Sequence, residues 1–208
     1  LKTSGITKPQ DFIGKKVGIE KAANVEYLYK AMMSKLGIDR SKIKEVPMGY
    51  NADELINGTV DVATGYITNE PNLATQAGHP VNTILMADYG VDMYADVLFT
   101  TEKMINEKPD LVERFLRATI KGWQYSLENE QEAVDITMHY ANSNREHELS
   151  MLRTSAPLIH TGSANLGSMD MAGWENVQEI LISQKLLSTP IDLDDAYTTE
   201  FIDKIYNK

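Results

Sequence analysis

The chemistry in this chain gathers in ATGYITNEP, residues 63–71, where Tyr66, Asn69 and Glu70 crowd behind Gly65 and end at Pro71. A tyrosine ring offers a stacking face, and a carboxylate can accept two N–H bonds from an amino-bearing ring. These residue types suit the capture of a small polar molecule. The same string also fits a strand-to-helix connection, with Asn69 as N-cap, Glu70 at the positive helix end and Pro71 as the first helical residue. The two roles are compatible, because helix N-termini point free N–H groups and side chains into a crevice.

Two further clusters carry polar groups. Glu20-Lys21-Ala22-Ala23-Asn24 has the length of a binding loop between a strand and a helix. It lacks the glycine run of a phosphate loop, and Asn24 also reads as an N-cap. Asp88-Tyr89-Gly90-Val91-Asp92-Met93-Tyr94-Ala95-Asp96 brings two tyrosines and three aspartates together, as a cleft wall or as a polar turn. Calcium is a poor fit there, since the alternating ligand loop with its terminal glutamate is absent. The histidines, at 79, 139, 147 and 160, are scattered, and neither a zincin motif nor a nucleophile elbow occurs. His147 reads as a surface residue, and Trp123 and Trp174 as core. No metal, cofactor or catalytic set is expected.

The elements that must position these groups alternate strand and helix. Lys16 to Glu20 reads as a strand, followed by a helix with Tyr27, Leu28, Ala31, Met32 and Leu36 on one face and Gly37 as its cap. Ile43 to Val46, Thr59 to Thr64 and Val81 to Leu85 read as further strands, and Asp53 to Asn57 and Pro71 to Gly78 as short helices. That rhythm predicts parallel β-α-β units, whose ligands sit beyond the carboxyl ends of the strands. The loops Glu20 to Asn24, Met48 to Asn51 and Gly65 to Glu70 should therefore converge. Val97 to Phe99 reads as one more strand. Beyond it the chain is helical: an amphipathic helix from Pro109, then Glu132 to Ala141, Arg145 to Ser155, Met171 to Leu187 and Leu193 to Tyr206. Asp110, Asp170 and Asp192 stand where helix N-termini favour a carboxylate. The pattern divides into an entry segment or hinge at 1–14, an α/β ligand-binding lobe at 15–95, and a mainly helical remainder at 96–208.

The 208 residues carry a formal charge of −10, which argues against a nucleic-acid partner. There is no cysteine, so disulfides and thiol chemistry are excluded. No run of apolar residues is long enough to cross a bilayer as a helix. Leu1 is not an initiator methionine, and the chain reads as a processed or trimmed piece of something longer.

SGITKPQDFIGKKVGIE, GYITNEP, VNTILMADYGVDMYADVLFTTE and KPDLVERFLRATIKGWQYSLENEQEAV, taken in order, resemble the pyrimidine-precursor-binding family of ABC-transporter substrate-binding proteins. The resemblance covers nearly the whole chain. It implies a type II periplasmic-binding-protein-like α/β fold of two hinged lobes, with the first lobe incomplete here because the family's N-terminal part is lacking. It further implies a small pyrimidine-like solute, an ABC permease as partner and a periplasmic or membrane-anchored extracellular location. Glu70 aligns with the family's acidic recognition residue, and Tyr66 and Asp88-Tyr89-Gly90 with positions facing the cleft. An incomplete lobe would expose apolar surface on the helices after residue 109 and invite homodimerisation. Similar sequences also serve as extracytoplasmic sensor domains of histidine kinases or cyclic-dinucleotide enzymes. The similar fungal pyrimidine-synthesising enzymes use a cysteine-rich iron motif, which this chain, with no cysteine, lacks.

Overall fold

The computed structural model describes residues 1–94, 96–159 and 165–207; Ala95 and His160 lie outside them. In chain order the regular elements are β1 (Lys16–Glu20), α1 (Asn24–Lys35), β2 (Lys44–Met48), α2 (Asp53–Ile56), β3 (Val62–Ala63), α3 (Glu70–Gln76), α4 (Glu102–Glu107), α5 (Pro109–Glu128), α6 (Glu130–Met138), α7 (Arg145–Ile159), α8 (Met171–Ser183) and α9 (Glu200–Tyr206). It is a mixed α/β chain with a small parallel sheet and many helices. Two compact units emerge: Leu1–Met93 with Glu175–Pro190, and Tyr94–Trp174 with Ile191–Lys208.

The first unit is built around β1, the central strand of a sheet ordered β2-β1-β3. Both neighbours are parallel, with Glu20 opposite Met48 and Gly18 opposite Ala63. A central parallel strand is covered on both faces, and accordingly Val17, Ile19 and Glu20 are fully buried. Gly18 is required here, because a Cβ would sit 2.6 Å from Met48 Sδ and 3.2 Å from Val60 Cγ1. Helix α1 lays Tyr29, Met32 and Met33 onto the sheet at helical spacing. It ends in a Schellman turn: Gly37 adopts φ 65°, and the Ile38 N–H reaches Met33 O at 2.9 Å. On the edge strand, Glu45 accepts a bond from the Tyr29 hydroxyl at 3.1 Å and a paired approach from Arg40 at 2.7 Å.

Several expected elements come out differently. Pro47 lies inside β2, tolerable because β2 is an edge strand whose ladder can lose one donor. The strand expected over 59–64 keeps only Val62–Ala63 in the ladder. Val81 to Leu85 joins no sheet among the described residues. It is held instead by the N-terminal segment, where Lys2 N–H donates to Pro80 O at 2.9 Å and Asn82 Nδ2 to Ile6 O at 2.9 Å. Its apolar side chains still serve the core, Ile84 and Met86 packing against it. Val97 to Phe99 likewise finds no partner strand among the described residues, and Phe99 is 90% exposed.

In the second unit, Ile120, Leu166 and Ile202 form the core, flanked by Leu116, Leu127 and Ile205. Thr101 caps α4 and Asp170 caps α8 through the Gly173 N–H at 2.7 Å. Asp110 sits in the first turn of α5, whereas Asp192 caps only a 3-10 turn. The helix expected over 193–206 starts at Glu200, because Thr198 and Thr199 turn their hydroxyls to local groups, Thr198 Oγ1 accepting from the Glu200 N–H at 3.2 Å. Trp123 is not core: it is 41% exposed, and Leu111 and Phe115 on the same helix are exposed as well. Trp174 is half-buried, stacked with Tyr197 at 5.2 Å, and His147 is half-buried rather than on the surface. No described helix is long and apolar enough to cross a membrane.

Candidate functional site

Because β1, β2 and β3 are parallel and in register, the loops after Glu20, Met48 and Ala63 leave the same edge of the sheet. Glu20 lies there at the end of β1, and Glu70 lies against Gly65 just after β3, near enough for its charge to act on Glu20. Glu70 opens α3 and is 5% exposed. Its Oε2 accepts the Tyr66 N–H at 2.7 Å and its Oε1 accepts Asn69 Nδ2 at 2.6 Å. Asn69 thus spends its amide on the carboxylate and makes no side-chain cap bond to the helix. Each Glu70 oxygen keeps a lone pair for a further donor.

Glu20 is the more unusual group. It ends β1, is 0% exposed, and neither carboxylate oxygen has a hydrogen-bond partner. Its backbone N–H donates to Thr64 Oγ1 at 3.2 Å. Burial pushes its carboxyl up from 4.5 to about 7, with the neighbouring charge of Glu70 acting in the same direction. An orphaned buried carboxyl is rare enough to require an explanation.

Gly65, in the loop leading to Glu70, shapes this corner. A Cβ there would lie 2.8 Å from Glu70 Cδ and 2.9 Å from Cγ. The carboxylate is pinned by two donors and cannot swing aside. Gly65→Ala is expected to cost about 1–3 kcal/mol of stability, measured by urea unfolding, together with loss of ligand affinity.

The loop after β1 is strained where it begins. Ala22 adopts φ 59°, a left-handed conformation that costs a side-chain-bearing residue about 1–2 kcal/mol. Glu26 holds it there, accepting the Ala22 N–H at 2.9 Å while pairing with Lys30 at 2.8 Å and Lys21 at 3.2 Å. Its bond from Lys30, followed by that from Ala22, draws the Glu26 carboxyl down to about 2. Ala22→Gly should therefore raise the unfolding free energy by about 0.5–1 kcal/mol in chemical denaturation. Asn24, expected as the N-cap of α1, is its exposed first residue; Ala23 holds the cap position and makes no side-chain cap bond.

Tyr66 belongs to the Glu70 corner through its backbone, and its ring is exposed. Asp88, Tyr89 and Gly90 gather elsewhere. They form a 3-10 turn ending at Gly90, whose carbonyl accepts Lys35 Nζ at 2.6 Å, at the last turn of α1. Lys35 is about 16 Å along the helix from Asn24, at 1.5 Å per residue. Tyr89 packs on the core, and Asp88 is exposed. Tyr94 lies in the second unit, its hydroxyl accepting the Asp170 N–H at 3.1 Å and its ring 5.5 Å from Trp174.

Behind Glu70 the first unit holds a cavity of about 130 Å³, lined by Thr64, Gly65, Ile67, Glu70, Pro71 and Met86 among others. This is smaller than the roughly 300–1,000 Å³ of small-molecule sites. The second unit carries an open groove of about 420 Å³ between α5, α6 and α7, lined by Trp123, Val134, Met151 and Leu152. Its four hydroxyls, Thr119, Ser126, Thr137 and Ser155, are bonded back to their own helices, and its one carboxylate, Glu148, accepts from the Ser143 hydroxyl.

The parallel α/β unit thus places two buried carboxylates at the carboxyl edge of its sheet. Residues 1–133 match the family model described as NMT1/THI5 like, and the chain belongs to that family. It is 33% identical over 150 residues to the riboflavin-binding protein RibY of Chloroflexus aurantiacus, across 69% of this chain and 42% of that protein. It is 26% identical over 199 residues to the formylaminopyrimidine-binding protein of Halalkalibacterium halodurans, across 92% of this chain and 60% of that one. A third relative, 27% identical over 207 residues, is the 4-amino-5-hydroxymethyl-2-methylpyrimidine phosphate synthase of Legionella pneumophila, with 97% and 64% covered. The chain thus spans 42 to 64% of the length of these relatives.

Proposed function

We propose that this chain is the ligand-recognising part of a non-enzymatic solute-binding protein that captures a small heteroaromatic, pyrimidine-type molecule outside the cytoplasm and delivers it to an ABC permease. The observation that carries this reading is Glu70, a buried carboxylate fixed by two N–H donors at a helix start, with acceptor capacity left over. Glu70 accepts N–H groups of the ring, and Tyr66 supplies a face beside it. Two of the relatives are named for binding heteroaromatic molecules, which supports the ligand class. Closure of a hinged protein on such a ligand would be driven by tighter binding to the closed form.

The test is titration calorimetry and thermal unfolding of the full-length protein with formylaminopyrimidine and, in parallel, riboflavin. One saturating site is expected, with about 2.7 kcal/mol of added stability at a hundredfold excess over Kd. Absence of binding by both compounds would overturn the reading, and recovery of a chemically altered ligand would replace capture with catalysis.

A further inference from the structure

Two buried carboxylates at one corner of the sheet are costly, and their surroundings here differ. Glu70 already accepts two N–H bonds and so stands as the acceptor of the pair. Glu20 accepts none, is fully buried, and has Glu70's charge beside it. Among the described residues, the groups around Glu20 offer it no cation. From β2 it faces apolar Met48, and from the end of β3 the Thr64 hydroxyl, which takes its backbone N–H. Lys21 and Lys30 are drawn to Glu26, and Glu54 of α2 accepts the Gly49 N–H at 3.2 Å. An ionised carboxylate in that setting would lack both a donor and a counter-charge.

Resting on the solute-binding reading above, we infer that Glu20 is a specificity-determining residue that stays protonated and donates its O–H to a ring nitrogen of the ligand, while Glu70 accepts the adjacent exocyclic N–H. The pair reads one edge: a hydrogen-bond acceptor next to a donor, as in a 4-aminopyrimidine. Neither carboxylate alone distinguishes that edge from its reverse, a ring N–H beside a carbonyl. Two carboxyls of opposite role, set by environment, are a familiar way to place a donor and an acceptor side by side. The raised affinity of Glu20 for its proton, at about 7, fits the donor role near neutral pH. No proton is lost from the site on binding; above that pH one must be taken up from solvent.

Calorimetry of the full-length protein with formylaminopyrimidine, in buffers of differing ionisation enthalpy, tests this. At pH 6 no net proton uptake is expected. Above about pH 7 uptake should approach one proton per ligand, with affinity falling about tenfold per pH unit. Glu20→Leu should lose about a hundredfold in affinity at pH 6. Glu20→Gln, which keeps an N–H donor, should recover most of that and show a flat pH profile. Circular dichroism melts establish that each variant is folded, and the wild-type proton uptake needs no variant. Binding by the wild type with no proton uptake up to pH 9, or an unchanged pH profile in Glu20→Gln, would overturn the role of Glu20 and leave solute binding standing. Failure of the wild type to bind formylaminopyrimidine at any pH would overturn this inference and the pyrimidine reading together.

Discussion

Glu70→Gln in the full-length protein is expected to weaken formylaminopyrimidine binding about a hundredfold at pH 7, and Glu70→Ala by about a further tenfold. The size follows from how the carboxylate is held. Its two oxygens already accept the Tyr66 N–H and Asn69 Nδ2. A glutamine would turn its own NH2 toward one of those donors or toward the ligand's donor. In the first case the loop loses its anchor, and in the second the ligand loses its acceptor. Either way a buried donor is left unmet, at about 1–3 kcal/mol. Titration calorimetry reads the loss directly, and an affinity within twofold of wild type would remove Glu70 from the site. Thermal unfolding of the unliganded variants separates the two routes: only the loss of the anchor lowers Tm without ligand.

Glu70 was legible in the sequence, and Glu20 as a buried group was not. The GYITNEP string announces a strand end, a polar cluster and a helix start, and local chemistry suffices to place them. Glu20 reads locally as the first residue of a solvated loop. Its burial comes from Met48 and the residues after Ala63 arriving on either side in parallel register, which no local pattern specifies. The same distinction separates the elements. α1 declared itself through Leu28, Ala31, Met32, Leu36 and the Gly37 cap, all short-range signals. Val81 to Leu85 has strand composition but lies against the core without a ladder, because pairing requires a partner edge and not only β-branched residues. Asp88-Tyr89-Gly90 has polar, cleft-like composition, yet the Gly90 carbonyl is bonded to Lys35 at the far end of α1. Trp123 sits on an apolar helical stripe that continues to the solvent-exposed Phe115, so a clear 3.6-residue period identified a face without identifying what covers it.

The second large effect concerns stability rather than binding. Glu20→Gln is expected to make the unliganded protein more stable relative to wild type as pH rises, with the difference growing by about 3 kcal/mol between pH 4 and pH 8. Burial first, and the charge of Glu70 second, raise the folded-state value from 4.5 to about 7. Between those two pH values the folded chain holds a proton that the unfolded chain has released. Stability contributed by that proton is present in full below 4.5, declines as pH rises through the interval, and is gone above about 7. Glutamine cannot titrate, so the variant escapes the decline. Glu26 has the opposite sign: its carboxyl is drawn down to about 2, so its contribution is present at neutral pH and fades as the solution is acidified toward that value. Subtracting variant from wild type at each pH cancels Glu26 and every other group that titrates alike in both, leaving Glu20 alone. Urea unfolding at unit steps from pH 4 to pH 9 gives the difference curve. A curve flat across that range would mean that the Glu20 carboxyl ionises as it does in the unfolded chain, and the orphaned oxygens at the end of β1 would then need a counter-charge that the first unit does not hold.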